Sequence, residues 1–171
     1  HALKIILDPF QLNLTIQRLA YEIIERHSNL SNTVLIGIQP RGVFLSDRIA
    51  AHIRKLYPSI DLKYGKLDIT FYRDDVRSEL HAANKTDIPF SVEEKKVVLI
   101  DDVLHKGRTI RAALDALLTF GRPRQVELCV LIDRRFSREL PIQPDYCGKA
   151  IDSIISQKVT VEWDKEEVVL Y

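Results

Sequence analysis

Two adjacent carboxylates, Asp101 and Asp102, stand between an apolar run, Val97-Val98-Leu99-Ile100, and a short turn of mixed charge, Val103-Leu104-His105-Lys106-Gly107-Arg108-Thr109. Acids in that position can accept hydrogen bonds from sugar hydroxyls. They can also help place Mg²⁺, a hard cation that takes a carboxylate or two and leaves the rest of its shell to water and phosphate. The turn supplies the complementary half. A Gly-containing loop that opens a helix has backbone N–H groups to spare and faces the positive end of the helix dipole, so it holds a phosphate. The chemistry these residues predict is therefore recognition of a sugar phosphate, hydroxyls on the acids and phosphate in the turn. Helix capping is the plain structural use of an Asp here, but a cap needs one Asp and two are present.

The elements that must position these groups follow from hydrophobic patterning. A continuous run such as Val97 to Ile100 predicts a parallel strand covered on both faces. That puts the acids at its carboxyl end, where open α/β sheets bind their ligands. Behind the turn, Ile110, Ala113, Leu114, Leu117 and Leu118 are spaced for a helix. A second junction of the same kind runs from the strand Val34 to Ile38 through Gln39-Pro40-Arg41-Gly42 into a helical pattern at Val43, Leu45, Ile49, Ala50 and Ile53. Gly lets the backbone come close and Arg supplies charge, although taken alone this is an ordinary βα turn with a solvated Arg.

Elsewhere, Gln11 to Arg26 carries apolar residues at 12, 16, 19, 20, 23 and 24, an amphipathic helix that Asn29 and Asn32 should end. Leu62 to Tyr72 predicts a strand after a turn at Gly65, with Leu67, Ile69 and Phe71 alternating. Gly121-Arg122-Pro123 stops the chain before the buried strand Val126 to Ile132, and a final strand is expected within Val159 to Val169. Strands alternating with helices give one α/β domain over residues 1–171. Between them, Arg73 to Lys96 is a long polar loop, a length usually reserved for function or disorder.

Composition is that of a folded domain: 171 residues, 46% hydrophobic, 29% charged and a formal net charge of +1 exclude disorder and a global polyanion-binding surface. A nucleic-acid contact would need a local basic patch. Cys129 and Cys147 lack metal-ligand spacing and are expected to be reduced thiols. No apolar stretch reaches membrane length, so a cytoplasmic protein with no membrane partner is expected. His1 is taken as a tag remnant.

The segment from Val97 to Thr109 resembles the phosphoribosyl-pyrophosphate (PRPP) signature of type I phosphoribosyltransferases: four hydrophobic residues, two acids, and a turn closing in Gly-x-Thr. LDITFYRDD, GRPRQVELCVLIDR, RELPI and PDYCGK extend the likeness from about Ile5 to the final strand. They narrow it to the pyrimidine branch, uracil phosphoribosyltransferases that double as RNA-binding attenuators of pyrimidine operons. The resemblance implies a twisted, mostly parallel sheet flanked by helices, with a small hood. It implies transfer of ribose 5-phosphate from Mg-PRPP to uracil, giving UMP and pyrophosphate.

Carried over residue by residue, the resemblance gives Asp101 and Asp102 the ribose hydroxyls and the Mg²⁺. Leu104, His105, Lys106, Gly107, Arg108 and Thr109 form the 5′-phosphate cradle. Arg41 and Gly42 face pyrophosphate, and Asp133 and Arg134 lie beside the base. Arg73, at the base of a hood over 73–96, is a pyrophosphate contact or a surface partner of Asp74 or Asp75. RNA, in the form of an mRNA leader, would lie on Arg18, Arg26, Arg138 and Lys149. A homodimer or higher homo-oligomer is frequent in the family. Catalysis would rest on positioning and electrostatics, with no covalent nucleophile.

The chain departs from the family pattern in three places. Lys106 replaces a usual Thr, Pro40 replaces a small or β-branched residue, and Asp133-Arg134-Arg135-Phe136-Ser137-Arg138-Glu139 is one residue longer and lacks a Gly. Phe136 is expected to stack on a base or plug the hood. On the first helix Leu12, Leu14 and Ile16 interrupt the positive charge, and Tyr21 stands where a His is usual. Two other functions stay open at this level: an RNA-binding regulator with little catalysis, and a phosphoribosyltransferase for a purine base.

Overall fold

The computed structural model describes residues 4–72, 85–154 and 156–171. Its centre is a parallel sheet in the order β3-β2-β4-β5-β6. The strands are β2 (Thr33–Gln39), β3 (Lys63–Asp68), β4 (Lys96–Leu104), β5 (Gln125–Arg134) and β6 (Tyr146–Ile151). The continuous apolar runs land on β2, β4 and β5, the strands with a neighbour on each side. Strand alternation splits β4 between two cores. Val98 and Ile100 join α1 (Pro9–His27) and α2 (Gly42–Leu56), while Val97 and Leu99 join α3 (Arg108–Leu117) on the other face. Helices on both faces are the reason these strands read as solid hydrophobic blocks.

α1 starts where a capping box fixes it. Asp8 Oδ1 accepts from the Gln11 N–H at 2.8 Å, Gln11 Oε1 accepts from the Asp8 N–H at 2.9 Å, and Pro9 fills the first helical position. The helix ends at His27, before the Asn29 and Asn32 expected to stop it.

A second sheet is built from the chain's two ends. β1 (Lys4–Leu7), β8 (Glu167–Leu170) and β7 (Val159–Glu162) pair antiparallel in the order β1-β8-β7. The single final strand expected over 159–169 is thus a hairpin, reversed at Trp163-Asp164-Lys165-Glu166. Trp163 fastens the small sheet to α2, its ring 6.1 Å from that of Phe44 and 4.6 Å below the Arg48 guanidinium.

Three further expectations are corrected. Gly65 lies inside β3 rather than at a turn, because Lys66 exchanges backbone hydrogen bonds of 2.8 Å with Asp87 along that strand's outer edge. β3 ends at Asp68, and Phe71, expected to alternate inward, falls in a 3₁₀ turn and is 82% exposed. The described half of the 73–96 loop is anchored rather than free, with Val92 fully buried and Ile88 and Phe90 packed on the α3 core.

At the amino end of β5 a polar network closes on itself. Glu127 Oε1 accepts from the Tyr146 hydroxyl at 2.8 Å and lies 2.5 Å from His27 Nε2, while Arg26 donates to Oε2 at 3.0 Å. Burial opposes ionisation of Glu127, but the hydrogen bonds from Arg26, His27 and Tyr146 outweigh it and hold the carboxyl below its ordinary value. Burial, and then the Glu127 carboxylate, push the Tyr146 hydroxyl up.

Candidate active site

The acids and the turn meet at the carboxyl end of β4. Strand pairing with β5 continues through Asp101 and on to Leu104, so both carboxylates are strand residues, each 6% exposed, rather than residues that emerge beyond it. Their duties differ. Asp101 lines a cavity of about 350 Å³ together with Leu104, His105, Lys106, Gly107, Arg108 and Thr109. Asp102 Oδ2 is taken by Arg41 Nε at 3.0 Å, and the same guanidinium donates to the Val161 carbonyl at 2.7 Å. Each carboxylate also accepts a backbone N–H: Asp101 from Asp102 at 2.9 Å, Asp102 from Val103 at 2.8 Å.

The two Gly turns fit their places for different reasons. A Cβ on Gly42 would sit 2.5 Å from the Ile100 carbonyl oxygen, so only glycine lets the first turn of α2 touch β4. Gly107 has φ +100°, a left-handed conformation that L side chains resist, and it caps the amino end of α3. The phosphate cradle expected at 104–109 is therefore a bent strand-to-helix turn with its cavity at a helix amino terminus. Within it, burial and then Arg134, Lys106 and Arg138 lower the His105 pKa, and His105 Nε2 is buried with no hydrogen-bond partner among the described residues.

The segment after β5 is packed more closely than its sequence suggests. Asp133 and Arg134 are the last residues of β5 and are buried. Arg134 is a strut: its guanidinium donates to Ser153 Oγ at 2.9 Å and to the carbonyls of Gln157 at 2.8 Å and Ile154 at 3.3 Å. Arg138, expected on an RNA face, turns inward instead. It donates to Asp133 Oδ1 at 2.6 Å and to the His105 carbonyl at 2.7 Å, and its side chain is only 16% exposed. Phe136, expected to stack or plug, is 73% exposed beside Arg135.

The other basic residues lie along α1 and β6. Arg18 donates to the Gly148 carbonyl at 2.5 Å and to Glu22 at 2.6 Å, Arg26 is half exposed beside Tyr146, and Lys149 is exposed. Arg73 lies outside the described residues. Cys129 and Cys147 are free thiols, as expected. Sequence reasoning missed Glu139 and Leu140, whose backbone N–H groups both donate to the Lys106 carbonyl, at 2.9 and 3.1 Å. RELPI stands only three residues past the end of β5, and that nearness was the available signal.

A phosphoribosyl transferase domain model matches residues 4–166. The chain belongs to that family. Among curated relatives, "Bifunctional protein pyrR" of Enterococcus faecalis (strain OG1RF) is 44% identical over 168 residues, covering 96% of this chain and 92% of the relative. "Bifunctional protein PyrR" of Bacillus cereus (strain B4264) is 43% identical over 164 residues, covering 92% and 89%. The narrowing to the pyrimidine branch made from RELPI and LDITFYRDD agrees with both. Solved structures give the fold alone. A hypoxanthine phosphoribosyltransferase from Staphylococcus aureus superposes with a TM-score of 0.67 at 18% identity, over 86% of this chain and 77% of that one. The Trypanosoma cruzi enzyme reaches 0.71 at 16% identity, over 98% and 95%. The type I phosphoribosyltransferase fold inferred from the 97–109 pattern is the fold observed.

Proposed function

We propose that this protein transfers ribose 5-phosphate from PRPP to uracil, forming UMP and releasing pyrophosphate. We propose also that it serves as a UMP-responsive, RNA-binding regulator of pyrimidine genes in the cytoplasm. The observation that carries the catalytic half is one cavity lined by both Asp101 and the Leu104–Thr109 turn. An acid for hydroxyls and a turn for phosphate on one cavity suit a ribose 5-phosphate. The relatives named PyrR support the choice of pyrimidine over purine.

In this mechanism the turn holds the 5′-phosphate through backbone N–H groups, the Thr109 hydroxyl and the side chain of Lys106. Asp101 and Asp102 orient the ribose hydroxyls. As the bond from C1′ to pyrophosphate breaks and the bond to uracil N1 forms, the N1 proton leaving to the released pyrophosphate or to water, positive charge develops on the ribosyl group, and fixed carboxylates at the strand end favour it. In this proposal Arg41 meets pyrophosphate and Gly42 lets the turn approach, a reading supported by the half-exposed Arg41 side chain beside Asp102. Two buried carboxylates on one strand end are hard oxygen donors that suit Mg²⁺ with its remaining positions left to PRPP and water. Held there, the ion would neutralise charge on the departing pyrophosphate. Asp133, at the end of β5, borders the base.

The RNA surface in this proposal is α1 with the β6 edge: Arg18, Arg26 and Lys149, with Arg138 removed from it by its inward contacts. A homodimer or higher homo-oligomer belongs to the same proposal. Two assays test it. UMP should accumulate from PRPP and uracil, and product from hypoxanthine instead would overturn the pyrimidine assignment. Leader transcript of a pyrimidine operon should bind more tightly with UMP and weaken steeply with salt, since each neutralised phosphate releases counterions. Equal binding to a scrambled transcript would overturn the regulatory half.

A further inference from the structure

The phosphate turn does not stand alone. Three hydrogen bonds hold its carbonyls from the side of the post-β5 segment: Arg138 Nη1 donates to the His105 carbonyl at 2.7 Å, and the Glu139 and Leu140 N–H groups donate to the Lys106 carbonyl at 2.9 and 3.1 Å. Two more contacts close the seam. Arg108 Nε donates to Glu139 Oε1 at 2.9 Å, and the Gly107 Cα approaches Leu140 so closely that an added Cβ would lie 3.3 Å from the Leu140 Cβ. Arg138 is itself anchored by Asp133 at 2.6 Å, a residue buried at the end of β5.

The consequence follows from peptide geometry. In a trans peptide the C=O and the following N–H point in opposite directions. Drawing the His105 and Lys106 carbonyls toward residues 138–140 therefore turns the N–H groups of Lys106 and Gly107 away from that segment. Both residues line the cavity. Fixing donors in advance is what makes them effective, because no reorganisation is left for the moment of binding.

We propose that Arg138 is a positioning residue for 5′-phosphate recognition, which sets the Lys106 and Gly107 amides by holding the loop's carbonyls against the end of β5. This rests on assigning the 104–109 turn to the 5′-phosphate. It also gives the added length of the 133–139 segment a consequence, since the segment that leaves β5 at Asp133 is tied at Arg138 and Glu139 to the phosphate turn. The ligand class selected is a nucleoside monophosphate over its nucleoside.

The test compares UMP with uridine by calorimetry on the full-length chain. Arg138→Ala should shrink the UMP-over-uridine preference by about tenfold, the loss expected for one net hydrogen-bonded anchor, with uridine affinity changed less than about threefold. Arg138→Lys keeps charge beside Asp133 but cannot span both partners, and should lose the preference several-fold; it carries the test if the Ala variant fails to fold. An unchanged preference overturns the proposal, and so does an equal loss for both ligands, which would mark a merely structural residue. Loss of leader-RNA binding alone, with the UMP preference intact, overturns it too and returns Arg138 to an RNA role. A parent chain without preference for UMP over uridine would instead remove the underlying phosphate assignment.

Discussion

The strand β5 carries a buried carboxylate near each end, and the two are used differently. Glu127, near the amino end, has both oxygens occupied by Arg26, His27 and Tyr146, and His27 and Tyr146 bond one another as well. Asp133, near the carboxyl end, holds Arg138, whose other contact is the carbonyl of a loop that lines a cavity. A closed polar network returns its binding capacity to the fold. One that ends on loop carbonyls leaves the loop's N–H donors facing a cavity, which suits recognition of an anion. In an open parallel sheet the carboxyl ends are where the chain leaves the strands for helix amino termini, so chemistry gathers there and stability at the opposite end.

Breaking the open end should cost activity most. Replacing Asp101 and Asp102 together with Asn should lower PRPP-dependent turnover by at least about a thousandfold, because two groups that face developing charge are neutralised. Thermal melts of that variant should stay within a few degrees of the parent. Activity within tenfold of the parent would contradict the assignment of the acids.

Breaking the closed end should act on stability instead. Glu127→Ala leaves His27, Tyr146 and Arg26 without their common acceptor, and should cost about 3 kcal/mol of unfolding free energy. Denaturant titration measures this, while turnover per folded molecule should match the parent. A selective loss of turnover with unchanged stability would erase the distinction between the two ends.

A finer probe is Gly107→Ala. The residue sits at φ +100° against Leu140, so alanine should cost about 1–2 kcal/mol of strain. Because the strain falls on the loop, it should appear as a raised KM for PRPP. Steady-state kinetics with an unchanged KM would show that the turn needs no left-handed residue.

The two ends should also titrate in different windows. His105 is lowered from its ordinary 6.5 by burial and by its cationic neighbours, so below that pH the unfolded chain takes up a proton that the folded state resists. Stability is then full above about pH 6.5 and falls as the pH drops toward the lower folded-state value. Glu127, lowered from 4.5, keeps its contribution until more acid conditions and loses it as the pH falls through its folded-state value. His105→Gln should flatten the decline that begins below about pH 6.5 and leave the acid limb in place. Identical melting profiles for parent and variant would contradict this.

Much of the open end was legible in the chain. β2, β4 and β5 are written as unbroken apolar runs because helices cover both their faces, and the acids with the Gly turn stand next to each other in sequence. The closed end was not legible, because His27, Glu127 and Tyr146 are 100 and 119 positions apart across their pairings and no local pattern links them. Direction was the other loss. Asp133 and Arg134 read as base contacts and Arg138 as part of an RNA face, yet β5 runs on through Arg134 and the chain then folds back over the 104–108 turn. The hairpin at the carboxyl terminus escaped for a similar reason. Its reversal, Trp163-Asp164-Lys165-Glu166, contains no Gly or Pro to mark it.

The most direct measurement is a crystal structure of the protein with UMP. The 5′-phosphate should lie in the cavity of the Leu104–Thr109 turn, within hydrogen-bond distance of the Lys106 and Gly107 N–H groups and the Thr109 hydroxyl, with the ribose hydroxyls on Asp101 and Asp102. A phosphate seated on the Gln39–Gly42 turn, or outside the carboxyl ends of β4 and β5 altogether, would contradict the assignment of this end of the sheet.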